Sequence, residues 1–221
     1  RFHSDELLTF TFAPHAPYTV SDESLKTLQP IMDELGLAMH MHLHETENEV
    51  RQSLQTHGMS PIQRLNNLAL LSPDFMAVHM TSLSDTDIQL LAKYQTHVIH
   101  CPESNLKLAS GICPTTALLA NQINVAIGTD GSASNNDLDM LGEARTTALI
   151  AKGSTLQADS LPAKQALRMA TINGAKALGL DKKIGSLEVG KQADMFAINL
   201  DSIETQPVYD VISTLIYSAS R

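Results

Sequence analysis

The chain has no tryptophan, and only two of its 221 residues are cysteine, Cys101 and Cys113, in no C-x-x-C arrangement. That excludes a disulfide framework and sets a reducing cytoplasm as the expected compartment. No apolar run approaches the roughly 18 residues needed to cross a membrane, and Arg1-Phe2-His3-Ser4 does not open a signal peptide. Positive charge is also scarce: 15 Lys and Arg stand against 24 Asp and Glu, for a net charge of −9, and the basic residues are scattered singly. Such a surface is not expected to bind nucleic acid or an anionic membrane. Low-complexity tracts, linkers and charge runs are missing as well. A 43% hydrophobic, 18% charged chain is instead an ordinary globular one, long enough to bury a core. The one excess is nine histidines.

What is present is a beat of apolar strand, polar strand end and amphipathic helix. The predicted strands are Leu7–Phe12, Leu37–Leu43, Phe75–His79, His97–Cys101 and Ile123–Gly128. Between the first two, Ser21 is a good N-cap, Leu25, Leu28, Met32 and Leu35 form an apolar stripe, and Gly36 stops the helix. Pro30 inside it predicts a kink. Thr46-Glu47-Asn48-Glu49 reads as a capping box, and Ser84 caps a helix carrying Ile88 and Leu91. Leu161 to Leu178 is helical by pattern, and 184–198 reads as short strands punctuated by glycine.

Strand starts about 20–40 residues apart predict βαβ units and a parallel sheet. Five units do not close a barrel, which takes eight strands and about 250 residues. The expectation is therefore an α/β chain that forms the C-terminal portion of a longer protein, with a five-stranded doubly wound domain as the alternative.

In parallel sheets functional groups gather at the carboxyl ends of the strands. Those ends carry His15, His42, Glu45, His79 and Asp130. His40, His42 and His44 alternate, so on a strand they share one face. One such histidine is more often structural; three in alternation followed by Glu45 point to metal chemistry. The spacing His42-x-x-Glu45 sets a carboxylate near a ligand without making it one. A His40-x-His42 ligand pair is the rival, but it wants an aspartate and a histidine directly after Leu43, and His44-Glu45 stand there. His79 and Asp130 gain meaning from their placement on successive strands. Two imidazoles and a carboxylate suit a hard or borderline ion with open positions. His57 and His97 read as surface or packing residues, His100 stays open, and the two cysteines read as small buried hydrophobes.

Four stretches carry a resemblance: Ala13-Pro14-His15-Ala16-Pro17-Tyr18, His42-Leu43-His44-Glu45-Thr46, Cys101 through Gly111, and Gly128-Thr129-Asp130-Gly131. Together they resemble the amidohydrolase superfamily, and within it the methylthioadenosine/S-adenosylhomocysteine deaminases and their chlorohydrolase relatives. Ile184 to Asp194 looks like the point where such chains leave the barrel for a small β-sandwich. The resemblance implies a (β/α)₈ barrel of the metal-dependent hydrolase type, divided as 1–183 (partial barrel) and 184–221 (return segment). It implies one divalent metal ion, most often Zn²⁺, with His42 and Asp130 as ligands. His79 would position the attacking water or ligate the metal. Glu45 would contact the substrate ring and shuttle a proton, Asp130 would accept one, and His15 would contact substrate. The family's upstream His-x-His pair has no counterpart here, so an N-terminal part of the same protein is the expected partner. The implied substrate is a small nucleoside or heterocycle, and a homo-oligomer is compatible. The implied activity is hydrolytic deamination of an adenine thioether nucleoside, in the cytoplasm. Alternatives are another aminated or chlorinated heterocycle, such as guanine or a triazine, and an inactive barrel remnant that only binds.

Overall fold

In the computed structural model, which describes residues 7–220, five strands form one sheet in sequence order. They are β1 (Thr11–Phe12), β2 (Ala38–Leu43), β3 (Phe75–His79), β4 (His97–His100) and β5 (Val125–Ile127). Every neighbouring pair is parallel. Parallel neighbours need crossovers, which helices supply: α1 (Asp22–Leu35), then α2 (Glu47–His57) with α3 (Pro61–Asn67), α4 (Asp85–Tyr94), and α5 (Pro102–Lys107) with α6 (Thr115–Ala120). Beyond β5 come α7 (Ser132–Asn135), α8 (Met140–Thr155), α9 (Ala163–Met169), α10 (Ile172–Ala177) and α11 (Val211–Tyr217). Leu43 aligns with His79, and His100 with Ile127, so the strand ends and their loops lie in a row.

The alternation of β2 explains the two faces of the sheet. Met39, Met41 and Leu43 are buried in the main core with Phe75, Val98 and Val125. His40 and His42 point the other way, into a cavity of about 380 Å³ that Met76, Val78, Ile99 and Asp130 also line. Burying each large apolar side chain contributes about 1.5–3 kcal/mol, so a one-residue slip of β2 would exchange core methionines for histidines.

Helix ends follow the expected residues. Ser21 accepts from Ser24 N–H at the start of α1, and Gly36 closes it in the left-handed region. α1 runs unbroken through Pro30, where a kink was expected; the ring costs one backbone bond and the remaining turns carry the helix. Ser84 and Asp87 form a reciprocal capping box. Thr46 caps α2 through Glu49 N–H. The Glu49 carboxylate accepts from the two N–H groups at the end of β2.

Three further expectations change. β1 pairs over only two residues, and Leu7 and Phe10 are exposed. The helical stretch from Leu161 divides at Ala170–Thr171 into α9 and α10. Residues 184–198 contain no strand. Strand backbone must bond to a neighbour, and none runs beside this segment among the described residues; Val189 and Phe196 stand exposed. The chain then returns, and α11 packs on α8 and α9. Arg1 to Ser4, read above for a signal peptide, lie outside the described residues. No described helix is long and apolar enough to cross a membrane.

Candidate active site

The five expected residues do gather at the carboxyl edge of the sheet. The His15 and His42 ring centroids are 5.0 Å apart, and the His42 ring stacks on His79 at 5.4 Å. His79 Nε2 lies 3.9 Å from Glu45 Oε2. Asp130 lines the same cavity as His42. His44, Asp130 and His79 all have positive φ, at 51°, 62° and 79°. Such conformations cost of order 1–3 kcal/mol each in non-glycine residues and cluster at functional sites. At His79 the turn has a use. Strict alternation puts it on the helix-packed face with Phe75 and Ala77, and the turn brings its ring to His42.

Hydrogen bonds fix what each ring offers. His42 sends both its backbone N–H and its Nδ1–H to the His15 carbonyl, at 3.2 and 2.6 Å. A carbonyl only accepts, so Nδ1 carries the proton and Nε2 keeps a lone pair. The Thr19 hydroxyl donates to Ala16 O at 3.0 Å and accepts from His15 Nδ1 at 3.0 Å, leaving His15 Nε2 as an acceptor. Asn105 Nδ2 donates to His79 Nδ1 at 3.2 Å. The His79 proton is then on Nε2, so this ring presents a donor towards Glu45. That differs from the expectation of His79 as a metal ligand, since a protonated nitrogen has no lone pair to give. Burial lowers the His79 pKa, against the pull of the Glu45 and Asp130 carboxylates.

Asp130 is held by two hydroxyls on one oxygen: Ser104 and Ser134 donate to Oδ2 at 2.7 and 2.6 Å. Partial burial opposes its ionisation, but those hydroxyls, the Gly131 N–H and His79 outweigh it, and its carboxyl lies below the usual range. Glu45 accepts from the Ser110 hydroxyl at 3.2 Å on Oε1.

His44 proves structural. It is fully buried, donates from Nδ1 to Ser82 O at 2.6 Å and accepts from Ile62 N–H at Nε2. Both nitrogens are spent, and it leaves the face it was expected to share with His40 and His42. His97 is half-buried and bonded to Asn124. His100 is buried on the helix side, with burial pushing its pKa down to about 3 and no partner for Nδ1. Cys101 and Cys113 are buried and unpaired, and burial pushes both thiols up. Neither is a nucleophile in that state.

The sequence reading gave no role to Ser104, Asn105 or Ser110, although all three lie in the Cys101–Gly111 stretch. α5 presents Ser104 to Asp130 and Asn105 to His79, bracing groups from the strands on either side of β4. Thr81 was also missed, and Glu49 was read only as a helix cap; Thr81 Oγ1 donates to the Glu45 carbonyl at 2.7 Å.

For a metal, the donor chemistry fits in part. His42 Nε2 has a free lone pair, and Asp130 is an ionised carboxylate with one oxygen already saturated. Among the described residues, however, no three His, Cys, Asp or Glu side chains are gathered to hold an ion. His42 and Asp130 supply part of a coordination sphere and need further ligands to complete it.

A parallel sheet whose strand ends assemble imidazoles and carboxylates beside a cavity defines a class of α/β enzyme site. The chain belongs to the amidohydrolase family, which it matches over residues 1–219. It is 50% identical over 217 residues to the 5-methylthioadenosine/S-adenosylhomocysteine deaminase of Teredinibacter turnerae, covering 98% of this chain and 49% of that protein. Against the protein of the same name from Saccharophagus degradans it is 48% identical, covering 97% and 48%. It superposes with a TM-score of 0.96, at 50% identity, on the crystal structure of an adenosine deaminase from Xanthomonas campestris with bound zinc, covering 99% of this chain and 50% of that one. The chain thus spans about half the length of these relatives, and its five βα units correspond to the C-terminal portion of their barrels.

Proposed function

We propose that the chain is the C-terminal part of a metal-dependent hydrolytic deaminase of adenine nucleoside thioethers, methylthioadenosine and S-adenosylhomocysteine, releasing ammonia. The observation that carries this is the Glu45–His79 pair, 3.9 Å apart, beside an ionised Asp130 and a His42 ring with its Nε2 free. Similarity to deaminases over nearly the whole chain supports it. A divalent ion, zinc by analogy with the similar structure, would be held by His42 Nε2 and Asp130 together with ligands from an N-terminal part of the same protein. When bound, such an ion lowers the pKa of water toward about 7.

The chain's own residues divide the rest. Glu45 gives a proton to the purine ring nitrogen, which makes the amino-bearing carbon open to addition. Asp130 takes the proton of the attacking water. His79, with its proton on Nε2, donates a hydrogen bond to the oxygen that adds to the ring. The proton on Asp130 then passes to the amino group, the C–N bond breaks to release ammonia, and the adduct's hydroxyl proton returns to Glu45 as the C–O bond becomes a carbonyl. His15 Nε2 accepts from the substrate. In this reading 1–183 is the barrel portion, and 184–221 is a segment returning toward a small β-sandwich. Two buried, unpaired cysteines favour the cytoplasm.

The test is Glu45→Gln in the full-length protein, with zinc content measured alongside kcat. Losing a general acid costs about 10²–10⁴-fold in rate, while zinc should be unchanged. His42→Ala should lose metal and activity together. A panel of methylthioadenosine, S-adenosylhomocysteine, adenosine, guanine and a chlorinated triazine separates the substrate classes. If Glu45→Gln strips the metal and His42→Ala keeps it, ligand and acid are misassigned.

A further inference from the structure

Glu45 is held at both ends, and the contact with its side chain comes from a loop that the proposed mechanism does not use. That loop, 108–111, follows α5. Ser110 N–H bonds to Asn105 O at 2.8 Å, and the Ser110 hydroxyl crosses to Glu45 Oε1 at 3.2 Å, bridging 65 positions of sequence. The loop takes an unusual path to get there. Ala109 has φ +54° without being glycine, and Gly111 has φ +134°. A Cβ at Gly111 would stand 2.8 Å from Thr81 Oγ1. Thr81 is the post on which the loop rests, for its hydroxyl lies 2.7 Å from Glu45 O and 3.3 Å from Ser110 O. The end of β2, the turn after β3 and the loop after α5 therefore meet at one threonine. A close approach that only glycine permits, next to a left-handed alanine, is a costly way to place one serine hydroxyl.

We propose that Ser110 is a positioning residue that makes the two oxygens of Glu45 unequal. Its O–H donates to Oε1, which stabilises negative charge there and fixes the carboxyl plane. Oε2, the oxygen 3.9 Å from His79 Nε2, is then the one that carries the exchangeable proton. When that proton leaves for the ring nitrogen, the electron pair stays on the carboxylate, and the charge on Oε1 is met by the Ser110 hydroxyl. Ser110 acts through Glu45 and touches no reacting atom. This inference rests on the reading of Glu45 as the proton carrier.

The experiment uses the full-length, zinc-loaded protein with methylthioadenosine as substrate. Ser110→Ala should lower kcat roughly tenfold or more, the effect of losing a hydrogen bond to a charged group. KM should stay within about twofold, and zinc content should not change. Ser110→Thr and Ser110→Val have the same shape and differ only in the hydroxyl. Thr should keep kcat within about threefold of the parent, and Val should fall with Ala, so the pair decides the matter even if Ala fails to fold. A merely structural serine would instead move KM and zinc content together, with Thr and Val alike, and that result overturns the proposal. If Ser110→Val keeps full kcat while Glu45→Gln abolishes it, the Ser110 inference fails and the deaminase reading stands. If Glu45→Gln keeps full kcat, both fall.

Discussion

Glu143 should make this protein less stable as pH rises through neutrality. It sits on α8 with no exposed surface, accepting from Glu103 N–H at 3.2 Å and from the Asn135 amide. Burial, reinforced by the nearby Glu103 and Asp137 carboxylates, pushes its pKa up to about 8. The folded state therefore keeps a proton that the unfolded chain releases at the ordinary carboxyl value of 4.5. Its contribution to stability is complete below that value, declines as pH rises, and is gone once pH passes about 8. The slope is at most about 1.4 kcal/mol per pH unit, or about 2–3 kcal/mol between roughly pH 6 and pH 8. Glu143→Gln keeps the shape and removes the titration. Its single amide oxygen can satisfy only one of the two donors, so the variant starts about 1–3 kcal/mol lower at about pH 5. Urea unfolding midpoints of parent and variant, converted with a common slope, give the difference at each pH. The parent's lead should fall by about 3 kcal/mol or more between about pH 5 and pH 8, reaching or crossing zero in the variant's favour, and then level. A lead that stays constant, or grows in the parent's favour as pH rises, refutes the reasoning. There is a functional side as well. Glu143 ties α5, which carries Ser104 and Asn105, to α7, which carries Ser134, and those side chains hold Asp130 and His79.

The strands were legible because period and placement agree: Phe75–His79 was read to the residue, and Leu37–Leu43 within one. Helix starts at Ser21 and Ser84 were legible because a hydroxyl before an apolar stripe has a local job. Failures occurred where a partner outside the segment decides the outcome. Nothing local distinguishes Leu7–Phe12, which pairs over only two residues, from a full strand. The 184–198 segment has strand composition but, among the described residues, no strand to pair with. Within the site, sequence placed the charged groups because strand ends are where such groups collect. It could not tell His44 from His42. Both sit on the same alternation, and only the turn at His44, with Ser82 and Ile62 waiting for its two nitrogens, makes one ring structural. Glu49 was legible only as a helix cap, for a related reason. Beyond its local capping role, its carboxylate accepts from two N–H groups at the end of β2. Ser110 was invisible, since its contact with Glu45 depends on a loop path set by Gly111 and Thr81.

His44→Ala should destabilise by about 2–5 kcal/mol, because it empties a buried site and orphans Ser82 O and Ile62 N–H; denaturant midpoints check it, and zinc per folded molecule should be unchanged. Gly111→Ala should lower kcat with Ser110→Ala, because a Cβ there meets Thr81 Oγ1 at 2.8 Å in a backbone conformation with φ +134°; a variant with parental kcat would show that the loop's path does not matter. Arg64 tests how the substrate side of the site is held. Nearly buried on α3, it donates from Nη1 to Pro17 O at 2.5 Å, from Nη2 to Val20 O at 3.2 Å and from Nε to Asp22 Oδ1 at 2.6 Å. It therefore clamps the segment that begins at His15, whose carbonyl orients His42. Lysine keeps the charge but has one nitrogen and cannot span three acceptors set in a fork. Arg64→Lys should therefore loosen His15 and raise KM by roughly tenfold, about 1.4 kcal/mol of substrate binding. kcat should fall less, since Glu45 is held separately by Glu49, Thr81 and Ser110. Zinc content should drop only if the His15 carbonyl moves far enough to release the His42 ring. An unchanged KM in Arg64→Lys would mean that the bond of His15 to Thr19 holds the segment without the clamp.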